Sequence, residues 1–157
     1  KYGDISCFGL KKNTTYYIYY PVRSGKRIEL SFYGPYKDDG ISKSATSYSK
    51  AKKLKSINFT RLGLEDYEEK IVKAGMYIGS KSSAWVKLKV TRNETFDLAT
   101  KGTFNGKYSA VMYSSSGKKL FAVTKKKTER TLKKGTYYIK FSRSSSTYSG
   151  AAGIGAF

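Results

Sequence analysis

The chain has 157 residues, with 31 Lys and Arg against 11 Asp and Glu and no His, giving a formal net charge of +20. Without imidazole it cannot build Ser-His-Asp or Cys-His nucleophile systems or His-ligated metal sites, and its single cysteine, Cys7, cannot form an internal disulfide or a thiolate cluster. Aromatics at 15% argue against disorder, and no apolar run approaches the roughly 18 residues that span a membrane as a helix.

In chain order, the apolar period is two, the signature of strands with one buried face. Ile5 to Ile18 forms a first patterned stretch, and Arg23-Ser24-Gly25-Lys26 reads as a turn. Ile28, Leu30 and Phe32 then alternate with Glu29, Ser31 and Tyr33. The stretch from Tyr36 to Ser56 breaks the rhythm; its Ser, Lys and Gly read as a solvated loop or a spacer. Leu62 to Lys73 holds at most a short helical turn, because Gly63 and the acids Glu65, Asp66, Glu68 and Glu69 interrupt it. Val86, Leu88 and Val90 share one face of the next strand, with Trp85, Lys87 and Lys89 on the wet face. Phe104-Asn105-Gly106-Lys107, Ser114-Ser115-Ser116-Gly117 and Lys133-Lys134-Gly135 are turns. Between and after them, Tyr108 to Tyr113 forms one strand, and Tyr137, Ile139 and Phe141 alternate with Tyr138, Lys140 and Ser142 in another. Short strands at spacings near ten residues predict an all-β protein built as a sandwich or jelly roll.

The chain also resembles itself. Ile5 to Ile18 aligns without a gap on Trp85 to Leu98, so Asn13 falls on Asn93, an offset of 93 − 13 = 80. Phe8 then matches Leu88, Leu10 matches Val90, Tyr16 matches Phe96 and Ile18 matches Leu98. A competing register pairs Leu10 to Ile18 with Leu132 to Ile139. The longer register predicts a duplicated unit, hence tandem jelly-roll-like antiparallel β-sandwiches. The first covers 1–67, with the Ser/Lys-rich loop at 36–56 and its completeness left open; the second covers 68–157. Two of the three Asn-x-Thr sequons, at Asn13, Asn58 and Asn93, coincide in this repeat and read as turn positions.

The second unit has further recognisable strings: Ile71 … Gly75-Met76-Tyr77-Ile78-Gly79, Trp85-Val86-Lys87-Leu88-Lys89-Val90, Tyr108 to Tyr113 with Gly117-Lys118-Lys119-Leu120, and Leu132-Lys133-Lys134-Gly135-Thr136-Tyr137-Tyr138-Ile139. They resemble the bacterial pre-peptidase C-terminal (PPC-like) domain across roughly 68–157. The resemblance implies a β-sandwich appended to secreted or surface proteins, without catalytic residues. In some relatives it implies polymer binding through surface aromatics and a calcium site in the N-terminal linker. Glu65, Asp66, Glu68 and Glu69 occupy the matching linker, but Ser82-Ser83 replaces the family's Asp-rich approach to the Trp strand. That departure argues against Ca²⁺, and the acids also read simply as a solvated linker. No other cofactor is expected.

Two surface features suggest ligands. Tyr17, Tyr19, Tyr33, Tyr113 and Tyr138 fall on faces that the alternation places outward, where a rigid ring with a polar tip suits glycan or peptide surfaces. If two sandwiches pack together, the same rings become interdomain core. Lysines form two groups, one from Lys50 to Lys55 and one comprising Lys118, Lys119, Lys125, Lys126 and Lys127 with Arg130, Lys133 and Lys134. Such a field attracts polyanions, and it also blunts strand edges against aggregation. The first functional expectation is a non-catalytic module of a secreted or surface bacterial protein, for adhesion, spacing or binding of cell-wall or host glycans or other anionic polymers. The alternative is a nucleic-acid-binding β-protein using Lys rows and exposed Tyr. An enzyme is not expected, since Glu29, Glu94, Asp97 and Glu129 are scattered singly. With no initiator Met or signal peptide, the sequence reads as part of a larger parent protein.

Overall fold

The computed structural model describes residues 8–19, 24–25, 40–60 and 70–157. Among these residues, α1 (Tyr48–Ala51) is the one helix and β1 (Ile57–Asn58) opens the strands. The alternating segments that follow become β2 (Lys70–Met76), β3 (Ser83–Val90), β4 (Glu94–Lys101), β5 (Phe104–Asn105) and β6 (Tyr108–Ser114). The last four are β7 (Lys119–Val123), β8 (Thr128–Leu132), β9 (Gly135–Arg143) and β10 (Ser149–Ala156). The first sheet runs β1-β3-β9-β6-β7; the second runs β2-β10-β4-β8, with β5 also paired to β10. Every pairing is antiparallel except β1 with β3. This is an all-β sandwich.

The inner faces follow the alternation. Val86, Leu88, Val90, Met112, Ile139 and Phe141 of the first sheet meet Val72, Ala74, Phe96, Leu98, Leu132 and Ile154 of the second, all buried in one core. Tyr108 ties the two layers together. Its hydroxyl shares its proton between the Lys101 and Gly153 carbonyls, at 2.7 and 2.8 Å, and accepts from the Gly153 N–H. Burial raises the pKa of this phenol above its ordinary value, and the Gly153 and Thr100 contacts oppose that shift. At one end of the sandwich Arg143 is buried and pins two loops. It donates to the carbonyls of Ser80 and Tyr148 and to Ser80 Oγ. Burial pulls its pKa down, yet a guanidinium stays charged at physiological pH.

The segment read as a solvated loop or spacer over 36–56 is described from residue 40, and there it packs on the sandwich. Ile41 bridges Lys73 on the edge of β2, and Ala45 then bridges Trp85 on the edge of β3. The chain therefore crosses the open side of the sandwich from one sheet to the other. It next lays α1 over the outer face of the first sheet and returns through β1, which pairs with Leu88 and Lys89. Phe59 enters the core fully buried, its ring 5.2 Å from that of Phe96. The physical reason is in the sequence. Ala45, Tyr48, Ala51, Leu54 and Phe59 are apolar positions within a polar stretch, and burying them outweighs the solvation of the serines between them.

The wet face expected for Trp85 is corrected for the same reason. Trp85 is only 8% exposed, because Tyr48, Ala51 and Leu54 cover it. Leu62 to Lys73 ends in strand β2 rather than helix. Cys7, the Ile28 to Phe32 strand, Tyr33 and the acids Glu65, Asp66, Glu68 and Glu69 lie outside the described residues.

A cationic cleft between two strand edges

The sandwich has two long sides. Residues 40–60 close the one beside β3, while the other lies between edge strands β7 and β8, which belong to different sheets. A shallow, open cleft of about 570 Å³ lies there. It forms because the turn at 124–127 folds β8 back from β7, so that residues far apart in sequence meet. The guanidinium of Arg130 lies over the ring of Phe121, 5.3 Å from its centroid. Lys118 and Lys119 arrive from the β7 side, Arg130 and Lys133 from the β8 side, and Leu120, Phe121 and Tyr137 supply apolar surface. A β-bulge, marked by the register jump from Met112 opposite Phe121 to Tyr113 opposite Lys119, lets the consecutive side chains of Leu120 and Phe121 both line the cleft.

The polar groups of the wall are largely engaged. Tyr137 donates its hydroxyl proton to the Lys133 carbonyl at 2.8 Å, and Thr131 Oγ1 lies 2.9 Å from Thr95 Oγ1. Ser114 Oγ contacts Ser116 Oγ and accepts from the Lys118 N–H. Arg130 donates one N–H to the Glu129 carbonyl. No Asp, Glu, Asn or Gln lines the cleft among the described residues. Four cations lining one cleft without a carboxylate make a site of positive potential that attracts an anion.

The structure disperses the rest of the sequence-derived ligand set. Tyr17 and Tyr19 are almost fully exposed in the segment 8–19 and are not among the residues that line the cleft. Tyr113 and Tyr138 do point outward from the first sheet, but Tyr138 is only 4% exposed and both rings join the cluster beneath α1. Tyr48 sits 5.0 Å from Tyr138 and 5.7 Å from Trp85, and Tyr113 sits 4.9 Å from Trp85. Burial, with the nearby Tyr48 phenol second, raises the pKa of Tyr138. An exposed-tyrosine role is thereby corrected for Tyr138, whose face is taken by the chain itself. Lys118 and Lys119 line the cleft, and Lys125 and Lys126 stand exposed on the turn. Lys127 turns to the other sheet, 3.8 Å over the Phe157 ring.

Sequence reading does not bring Leu120, Phe121 or Tyr137 into the site, although Arg130 and Lys133 belong to its second basic group. Counting outward from the 124–127 turn would have placed Phe121 across from Arg130 and Lys118 across from Lys133. The acids expected to be scattered singly also include a neighbouring pair, since Asp97 lies opposite Glu129 in the β4–β8 register. Both are exposed on the outer face of the second sheet, without the walls that hold a scissile bond between two carboxylates. The two sequons that coincide in the repeat, Asn13 and Asn93, lie in connections between strands or outside them, whereas Asn58 ends strand β1. Asn13 has a positive φ of 57°, Asn93 Oδ1 accepts from the Lys134 N–H, and Asn58 Oδ1 accepts from the Thr60 N–H.

Among the described residues no helix is long and apolar enough to cross a membrane. No family model and no curated protein matches the sequence. Among solved structures, the chain is similar to the pre-peptidase C-terminal domain of collagenase from Bacillus anthracis. That similarity has a TM-score of 0.41 and 13% sequence identity, and it covers 66% of this chain and 95% of that one.

Proposed function

We propose that this chain is a non-catalytic binding module of a secreted or surface-exposed bacterial protein, and that it holds an anionic polymer in the cleft between β7 and β8. The observation that carries the reading is the meeting of Lys118, Lys119, Arg130 and Lys133 across two strand edges with no carboxylate among the lining residues. An isolated surface lysine is hydrated and recognises little, whereas cations converging from two walls raise the local concentration of a polyanion and orient it. A nucleic-acid role is less well supported. Single-strand binders stack bases on open aromatic faces, and here Arg130 already lies over Phe121.

The test is binding to a panel of polyanions at physiological salt, repeated with Lys118, Lys119 and Lys133 all changed to Gln. The module binds at least one polymer, and the triple variant loses most of that affinity. Its dependence on salt also falls by roughly one released counterion per lysine removed. Equal binding by wild type and variant would reject the cleft as the site.

A further inference from the structure

Resting on that reading, the cleft's chemistry specifies the kind of anion it accepts. A neutral glycan is recognised by free hydroxyl, amide and carboxylate groups that match sugar hydroxyls. Here the wall hydroxyls of Ser114, Thr131 and Tyr137 are engaged with their own neighbours, and no amide or carboxylate side chain lines the space. A planar carboxylate is best held by the two-pronged fork of a free arginine. The one arginine present, Arg130, lies over Phe121 and spends an N–H on the Glu129 carbonyl. Three of the four cations are ammonium groups, compact and rotatable, which suit the tetrahedral oxygens of a phosphate as point charges.

Position narrows the choice further. Lys118 and Lys119 stand on one wall and Lys133 on the other. Cations gripping from both sides are best met by charge carried in the backbone of a linear polymer, where a phosphodiester lies, rather than by groups pendant from one edge of a sugar ring. Leu120, Phe121 and Tyr137 offer a short apolar strip for the carbon atoms between successive charges. Arg130 occupies a face of the Phe121 ring on which a nucleobase would otherwise stack. We infer that the β7–β8 cleft binds a phosphodiester-linked polyol chain, with the phosphates between the lysine walls and the polyol carbons along Leu120 and Phe121.

The experiment measures dissociation constants at physiological salt for four polymers matched in charge number: an oligo(glycerol phosphate), heparin, poly-L-glutamate and a single-stranded DNA. Each is tested against wild type, the Lys118→Gln/Lys119→Gln/Lys133→Gln variant, and a control with Lys55→Gln/Lys81→Gln/Lys89→Gln. The control removes the same charge from exposed positions beside β3. The expected result is that oligo(glycerol phosphate) binds at least about tenfold more tightly than the other three. The cleft variant loses at least about tenfold of that affinity and the control less than twofold. Cleft-dependent binding that favours heparin, polyglutamate or DNA overturns the phosphodiester inference while leaving the cleft as the site. Equal losses in the two triple variants for every polymer overturn the parent reading as well, since the +20 charge then acts without a site.

Discussion

The two long sides of this sandwich meet the same geometric problem and solve it differently. Beside β3, residues 40–60 cross from sheet to sheet, seal the core with Phe59 and cover Trp85 with Tyr48, Ala51 and Leu54. Beside β7 and β8 only the short 124–127 turn passes between the sheets, and lysines and one arginine rim the gap. Both sides expose strand edges, which invite pairing with other chains unless they are covered or charged. One side is covered and the other is charged. The covered side spends its apolar residues on stability, so its aromatics are unavailable to a ligand. The charged side keeps an open cleft, so the same cations that discourage edge-to-edge pairing are free to meet an anion.

The largest effect follows from undoing the covered side. Phe59→Ala removes a fully buried ring that packs on Phe96 and anchors the strap, and should cost about 3–5 kcal/mol. In a chain of this size that lowers the thermal midpoint by roughly 10 °C, readable by calorimetry. A cost below about 1 kcal/mol would mean the strap is not part of the cooperative sandwich.

Tyr48→Ala is next. It removes ring contacts with Trp85 and Tyr138 and the hydroxyl bond to the Ser115 carbonyl at 2.7 Å, together worth about 2–3 kcal/mol. Trp85 is the only tryptophan in the chain, so its emission reports the same event. Emission should shift to the red in Tyr48→Ala, as the indole gains water, and stay unmoved in the cleft lysine variant. An unshifted emission in Tyr48→Ala would show that α1 does not shield the indole.

Alkaline pH tests the packed tyrosines with a smaller effect. Burial raises the pKa of both Tyr108 and Tyr138 in the folded chain. Above the ordinary tyrosine value of about 10, the unfolded chain therefore releases protons that the folded chain still holds. The stability these phenols contribute is intact below that pH and is lost as pH climbs through their raised values. Stability against urea should therefore fall with pH above about 10. The fall should be shallower in Tyr138→Phe, where the strap covers the ring. An identical slope in that variant would remove Tyr138 from the account.

Much of the fold was legible because alternation reports directly on burial. Leu88, Val90, Phe96 and Leu98 are all buried where period two places them inward. Alternation does not report what lies over the other face of a sheet. Alternation turns Trp85 and Tyr138 outward, but the residues that cover them, Tyr48, Ala51 and Leu54, lie far earlier in the chain and occur singly in a polar stretch. The aligned residues Phe8, Leu10 and Ile18 carry the same pattern and are about half exposed or more. Similar strings thus sit in different environments, because burial depends on a partner surface and not on pattern alone.

Strand β10 gave no signal, since Ser149 to Ala156 has almost no large side chains. Its small residues are needed because a Cβ at Gly153 would lie 2.6 Å from the Lys101 carbonyl oxygen and 2.9 Å from that of Val72. The cleft was half legible. Lys118 and Lys119 stand out as a run, whereas Phe121, Arg130 and Lys133 become neighbours only when the 124–127 turn reverses the chain.

The smallest effect on stability should come from the charged side, and its sign carries the information. Changing Lys118, Lys119 and Lys133 to Gln removes three exposed like charges that converge on one cleft in a chain already at +20. A surface chosen for stability would lose by this. A surface kept open for an anion should gain, because mutual repulsion among the lysines is relieved. The thermal midpoint of the triple variant should therefore rise by no more than about 2 °C at low salt. The difference should vanish near 1 M salt, where charges are screened within about 3 Å. A midpoint that falls instead would mean that these side chains hold the β7 and β8 edges in place, and that the lysine stems are packing rather than waiting for a ligand.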